Sequence, residues 1–192
     1  MLHNHFLTLS LISAACFLSV VSGPEASGQR LNISTLVPAQ QPNSIELIRQ
    51  RYSDINKKVG RYRKVKKELS GFSAEGGELV AFFQGNGVMK LIATYYGETG
   101  RTIEEFYYWE GALIFAFRKQ LTYDRPLSGK VVRTEAQRFY FENNKLIRWV
   151  NQEKKEVSSS DGDFVTNETD YLNTSQTLLT GARGKATTIE AP

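Results

Sequence analysis

Between Glu78 and Gln152 the chain is divided into short lengths by turn residues, and this limits its fold more than any other feature. Gly85-Asn86-Gly87, Gly97-Glu98-Thr99-Gly100, Glu110-Gly111 and Glu142-Asn143-Asn144 fall between the apolar and aromatic runs 78–83, 88–96, 101–109, 112–123, 131–141 and 145–150. The one longer loop surrounds Arg125-Pro126-Leu127-Ser128-Gly129. Glycine and asparagine accept the positive φ of tight hairpins. Connections this short cannot carry a strand across a sheet, so consecutive strands are antiparallel neighbours. The pattern predicts a five- or six-stranded antiparallel β-meander.

A helix precedes it. Ile45, Ile48, Tyr52, Ile55, Val59 and Tyr62 recur at alternating steps of three and four, with Arg49, Arg51, Asp54, Lys57 and Lys58 on the other side. That spacing predicts an amphipathic helix over 44–59 with its Ile48/Tyr52/Ile55 stripe on the sheet. Asn43 and Glu46 form a capping box at its start, and Gly60 marks its end. Residues 61–69 fit both periods and are read as an extended lead into the sheet. Beyond a charged, Ser-rich linker, Phe164, Tyr171 and Leu178 recur every seven residues, as do Val165, Leu172 and Leu179. This predicts a C-terminal helix that is stable only when docked, because its Thr-rich composition has low helix propensity. Aromatic residues occupy both phases of several strands: Phe106 and Tyr108 alternate with Tyr107 and Trp109, and Phe139 and Phe141 flank Tyr140. A sheet with one wet face would alternate more cleanly. The expected fold class is therefore α+β, an N-terminal amphipathic helix packed on the meander, with the C-terminal helix as a candidate cover for the other face.

The first 22 residues carry no Lys, Arg, Asp or Glu, and 6–21 are mostly apolar before the small residues Ser22-Gly23. This is the pattern of a signal peptide cut after Ser22 or, alternatively, after Gly28. An uncleaved anchor and an acylated Cys16 are the competing readings. The expected organisation is 1–22 signal peptide, 23–42 flexible lead-in, 43–152 helix plus β-meander, 153–181 linker and docked helix, and 182–192 disordered tail. The expected location is exported, periplasmic or secreted, with no transmembrane span in the mature chain. His3, His5 and Cys16, the only histidines and cysteine, all lie in that leader. A mature chain without imidazole or thiol lacks the commonest general base, metal ligand and soft nucleophile. No catalytic residue, metal site or cofactor is assigned.

Three further features bear on function. Between Asn43 and Ser70 there are nine basic residues against three acidic ones, in a chain whose formal net charge is +4. Such a segment suits a protein partner or an anionic envelope surface; nucleic acid is not favoured for an exported chain. Glu104 and Glu105 are adjacent on one strand, so they point to opposite faces and cannot act as a pair. A carboxylate among aromatics has either a raised pKa, as the acid of a glycosidase requires, or a cross-strand partner such as Arg118, Arg133 or Arg138. Third, Phe106–Ile114 is echoed by Phe139–Ile147, each an aromatic strand end, a turn and Leu-Ile.

The echo resembles the hairpin unit of MORN-type repeats. Glu75-Gly76-Gly77-Glu78, Tyr95-Tyr96-Gly97-Glu98, Glu104-Glu105-Phe106-Tyr107-Tyr108, Leu113-Ile114-Phe115 and the run from Tyr140 to Trp149 resemble a group of bacterial secreted or lipoprotein-type proteins of unknown function. The resemblance covers about residues 43–151 and implies an exported or envelope protein. It transfers no catalytic residue. The order of helix then sheet is also similar to cystatin-like and β-lactamase-inhibitor-like folds, a likeness that carries no function. The function expected from the sequence is an exported, non-enzymatic binding or interaction protein of unknown ligand. Its surface would be built from Tyr107, Trp109, Tyr140 and Trp149, aided by Lys57, Lys58, Arg61 and Arg63, since Tyr, Trp and Arg dominate binding energy at interfaces. The alternatives are a carboxylate-only hydrolase and a structural envelope component.

Overall fold

The computed structural model describes residues 43–192; the expected signal peptide and lead-in, Cys16 and both histidines lie outside that range. Helix α1 (Ser44–Lys58) continues into a single 3₁₀ turn and leads to strand β1 (Arg63–Ser70). Six strands follow in order: β2 (Gly77–Gln84), β3 (Gly87–Gly97), β4 (Gly100–Trp109), β5 (Ala112–Tyr123), β6 (Val131–Glu142) and β7 (Lys145–Val150). Helix α2 (Gly162–Arg183) and strand β8 (Thr188–Glu190) complete the chain. One sheet runs β7-β6-β5-β4-β3-β2-β1-β8. Every neighbouring pair is antiparallel except β1 and β8, which are parallel.

The sheet therefore has eight strands where five or six were expected. The six turn-bounded runs are β2 to β7, and the two additional strands are the ones without a hairpin signature at both ends. Residues 61–69 fit both periods, which predicts only an extended lead; pairing with β2 makes Arg63–Ser70 a full strand. Val65 and Leu69 face the core on one side, and Lys67 between them is buried with its ammonium donating to the carbonyls of Gly184 and Ala186. β8 corrects the expectation of a disordered tail over 182–192. The Glu68 amide donates to the Thr187 carbonyl and the Ala191 amide to the Ser70 carbonyl, both at 2.9 Å, and Ile189 is buried. A three-residue strand has no readable periodicity; it exists because an open β1 edge leaves backbone groups to satisfy.

The two helices cover opposite faces. The capping box forms, with the Glu46 amide donating to Asn43 Oδ1 at 3.0 Å and the Asn43 amide to Glu46 Oε2 at 3.3 Å. Ile48 and Ile55 of α1 are buried with Phe82, Tyr107, Phe115 and Tyr140. On the other face Phe164, Tyr171, Leu178 and Leu179 of α2 join Phe83, Leu91, Phe106, Tyr108, Phe139 and Phe141 in the larger core. Asp161 caps α2 through the Asp163 amide at 2.9 Å. The helix has 22 residues and so is about 33 Å long. Eight strands at their usual spacing measure about 34 Å across. α2 thus crosses the whole sheet, from the Leu146 amide on β7, which donates to Glu168 at 2.6 Å, to Gly181 against Ile189 of β8. A Cβ at Gly181 would lie 2.5 Å from the Ile189 side chain, so glycine is what lets this last turn approach β8.

The sequence echo is a shared backbone device, and it occurs three times. After Tyr107↔Phe115 the register resumes at Tyr108↔Leu113, leaving Ile114 as a bulge. After Tyr140↔Arg148 it resumes at Phe141↔Leu146, leaving Ile147. After Phe82↔Lys90 it resumes at Phe83↔Val88, leaving Met89. Each hairpin places two successive aromatics on opposite faces and then adds one residue, which increases local twist. The turns Glu110-Gly111 (φ 50° and 82°) and Asn143-Asn144 (φ 51° and 57°) are both left-handed, as two-residue hairpins require. No helix among the described residues is long and apolar enough to cross a membrane.

Candidate functional site

Glu104 and Glu105 on β4 enter different chemistry, because alternation sends one under α2 and the other under α1. Glu105 sits in a closed network. Its carboxylate lies 2.7 Å from Lys90 Nζ and 3.2 Å from Lys119 Nζ, and it accepts the Tyr107 hydroxyl at 2.6 Å. Lys90 also donates to Asn56 Oδ1 of α1 at 3.1 Å. Burial opposes the charge of Glu105, but the hydrogen bonds from Lys90 and Tyr107 and the charges of Lys90 and Lys119 prevail, and its carboxyl is held below the ordinary glutamate range. Every partner is close, so this network is occupied with holding β3, β4, β5 and α1 together.

Glu104 is as buried as Glu105, with side chains 12% and 13% exposed respectively, yet its contacts are less well formed. Its cross-strand neighbour Arg118 places Nε 3.9 Å away, and the Tyr171 hydroxyl of α2 donates from 3.5 Å. Burial pushes the Glu104 carboxyl up, opposed by Arg118 and the nearby Tyr95 and Tyr171 hydroxyls. The Tyr95 hydroxyl is turned towards Glu104 and raised far above the phenol range by burial and by that carboxylate. It nevertheless makes no well-formed hydrogen bond to any described residue. Buried polar groups are nearly always paired, so these two incomplete groups side by side are unusual.

They open on a cavity of about 420 Å³ beside the β3–β4 turn, bounded by Phe72, Tyr95, Thr102, Glu104, Arg118 and Gln120, with Thr174 of α2 at its edge. Phe72 stacks on Tyr95 with ring centroids 6.0 Å apart. Thr102 Oγ1 donates to Gln120 Oε1 at 2.5 Å, which orients the Gln120 amide and leaves its N–H₂ to point elsewhere. Gly100 permits the tight crossing at the rim, since a Cβ there would fall 2.1 Å from the Leu121 carbonyl oxygen. The cavity combines a raised carboxyl, a guanidinium, an amide, hydroxyls and ring faces, which suits hydrogen-bonded recognition of a small polar molecule.

The residues proposed from sequence are distributed differently. Tyr107 is completely buried and belongs to the Glu105 network. Tyr140 is buried against Phe115, with centroids 5.0 Å apart. Trp109 is half-buried beneath Arg51, whose Cζ lies 4.9 Å from its ring. These three share the α1 face. Trp149 is on the α2 face, stacked on Phe139 and donating from Nε1 to Gln137 Oε1 at 2.9 Å. The four aromatics therefore form no common exposed surface, contrary to the expectation; Tyr107, Tyr140 and Trp149 are core residues because a helix packs on each face of the sheet. The basic segment is divided as well. Lys57 and Lys58 are exposed in the last turn of α1, where they complement the helix dipole. Arg61 is exposed, Arg63 lies over Phe83 on the α2 side with Cζ 4.4 Å from its ring, and Lys64 lies over Phe82 on the α1 side. Of the arginines considered as carboxylate partners, Arg118 faces Glu104, Arg133 pairs with Glu135 at 2.8 Å, and Arg138 lies over Phe117.

Sequence reasoning singled out Glu104 and Arg118 but missed Tyr95, Tyr171, Thr102 and Gln120. Tyr95, Thr102 and Gln120 were findable in principle: they lie in phase with Glu104 and Arg118 on adjoining strands, with Tyr95↔Thr102 and Thr102↔Gln120 in register. Tyr171 depends on the docking of α2 and has no local signal. No family model matches this sequence, and no curated protein or solved structure matches it.

Proposed function

We propose that this is an exported, non-enzymatic binding protein whose ligand is a small polar molecule received in the Glu104 cavity. The observation that carries the reading is the unused hydrogen-bonding capacity there: among the described residues the one well-formed hydrogen bond to Glu104 comes from the Tyr171 hydroxyl at 3.5 Å, Arg118 stands 3.9 Å away, and the neighbouring Tyr95 hydroxyl has no partner of good geometry. A ligand that satisfied both would gain what the fold leaves unmade. The export half of the reading rests on the apolar leader. Mass spectrometry of the exported chain should find Gly23 or Gln29 at its amino terminus; an intact Met1 or an acylated Cys16 would refute cleavage at those sites.

Thermal-shift screening of the mature chain against small polar metabolites tests the binding half. Compounds that raise Tm should lose that effect in Tyr95→Phe and Arg118→Ala. A set of compounds that stabilises all three proteins equally would place binding elsewhere. One observation favours the hydrolase reading: a carboxyl pushed up by burial is the acid that glycoside cleavage needs. Glu104 is, however, the one carboxylate lining the cavity, and the mechanism requires two. Release of reducing sugar from a polysaccharide by the wild type, abolished in Glu104→Gln, would decide for hydrolysis.

A further inference from the structure

α1 covers only part of its face of the sheet, and beside it a second hollow of about 270 Å³ remains open, lined by residues that the Glu104 cavity does not use. Its floor is aromatic: Phe115 and Phe117 from β5 and Tyr140 from β6, with Tyr52 of α1 forming a wall. The floor is preorganised, since Tyr52 packs edge-on against Phe115 at 5.2 Å and Phe115 against Tyr140 at 5.0 Å. Tyr52 is still 36% exposed, so ring surface remains accessible from the hollow.

Two guanidiniums stand over this floor. Arg49 of α1 places Cζ 6.0 Å from the Tyr140 centroid, and Arg138 of β6 places Cζ 5.3 Å from that of Phe117. Neither has an ion-pair or hydrogen-bond partner among the described residues. The two other cations near the floor are already engaged: Lys119 with Glu105 at 3.2 Å, and Arg148 with Glu156 at 2.9 Å. No carboxylate lines the hollow. Arginine held over a ring keeps its in-plane N–H groups directed outward, where they match an oxyanion. A volume below that of drug-sized pockets admits one ring and a head group.

From this charge complementarity we infer that the hollow between α1, β5 and β6 is a binding site for an aromatic oxyanion, a single planar ring carrying a phosphate or carboxylate. The ring would lie on the Phe115/Phe117/Tyr140 floor, and the anionic group between Arg49 and Arg138. The inference is independent of the Glu104 cavity and of what that cavity binds.

Isothermal titration of the full chain, using phenyl phosphate and benzoate as probes, tests it. At least one probe should bind at 1:1 stoichiometry and roughly tenfold more tightly than benzyl alcohol, which lacks the charge, and than inorganic phosphate or acetate, which lack the ring. Arg49→Gln and Arg138→Gln should each weaken that probe by roughly tenfold, the loss of one charge-assisted contact. Arg125→Gln, on an exposed loop, should not. Should a variant fail to fold, the wild type alone suffices: the bound probe should shift the ring resonances of Tyr52, Phe117 and Tyr140 in NMR spectra. Inorganic phosphate binding as tightly as phenyl phosphate would reduce the site to surface charge. Binding without shifts at those rings, or no binding of either probe, would overturn the inference.

Discussion

Glu104 and Glu105 leave the same strand in opposite directions and meet opposite electrostatic surroundings at almost equal burial. Glu105 has Lys90, Lys119 and Tyr107 within 3.2 Å, and its carboxyl is held low. Glu104 has the Tyr171 hydroxyl at 3.5 Å, Arg118 at 3.9 Å and a Tyr95 hydroxyl of poor geometry, and its carboxyl is pushed up. Burial alone does not determine what a carboxylate does; the number and distance of its donors decide whether it supports the fold or remains available to a ligand. A network complete within the protein has nothing to offer an incoming molecule. An incomplete one costs stability, and such costs are commonly borne at functional sites.

Glu105→Gln should be the most damaging change, because it leaves the Lys90 ammonium buried with its main counter-charge gone. Removing one partner of a buried pair costs about 3–5 kcal/mol, and urea titration at neutral pH should read a loss of that size. Since the folded-state pKa of Glu105 is depressed, its contribution is present above the ordinary glutamate range and fades as pH falls through the lowered value. The gap between wild type and variant should therefore close in acid. A gap that persists there would mean the loss is one of packing.

Ile55→Ala comes next and tests whether α1 is part of the same unit. Ile55 is fully buried, so truncation should cost about 2–5 kcal/mol in urea. It should also loosen the Glu105 side before the Glu104 side, because Asn56 of α1 contacts Lys90. A negligible cost would make α1 a detachable arm.

Glu104→Gln should have a smaller effect of the opposite sign. The neutral amide keeps the shape and removes the cost of burying charge, so stability at neutral pH should be unchanged or higher by about 1 kcal/mol. For a carboxyl with a raised folded-state pKa, stability is highest below the ordinary glutamate range and declines as pH rises through the raised value. The advantage of the variant over wild type should accordingly grow with pH, the reverse of the Glu105 series. A loss as large as that of Glu105→Gln would mean that Arg118 holds Glu104 more tightly than the 3.9 Å separation implies.

The smallest effect is expected at Lys57 and Lys58. Both are exposed at the end of α1, and alanine at either should change stability by at most about 0.5 kcal/mol. A larger loss in thermal unfolding would show that the basic end of α1 does more than complement the helix dipole.

Where local rules suffice, the amino-acid sequence determined the outcome. The period of α1 and its Asn43/Glu46 capping box, the six strands bounded by Gly and Asn turns, and the opposed directions of Glu104 and Glu105 all follow from contacts a few residues apart or from strand alternation. So does the docked character of α2, whose seven-residue repeat of Phe164, Tyr171 and Leu178 faces the sheet. Tertiary structure decided the rest. β8 forms because α2 delivers residues 188–190 to the β1 edge across the full width of the sheet, a contact between residues some 120 positions apart that no window of sequence contains. Lys67 is buried because the segment between α2 and β8 presents it with two carbonyls. Tyr107, Tyr140 and Trp149 are core residues because both sheet faces are covered, although their composition alone fits an exposed patch equally well. The unequal fates of Glu104 and Glu105 belong here too: alternation assigns each a face, but the distances to Lys90, Lys119, Arg118 and Tyr171 depend on how four strands and two helices pack, and electrostatic energy is governed by those distances.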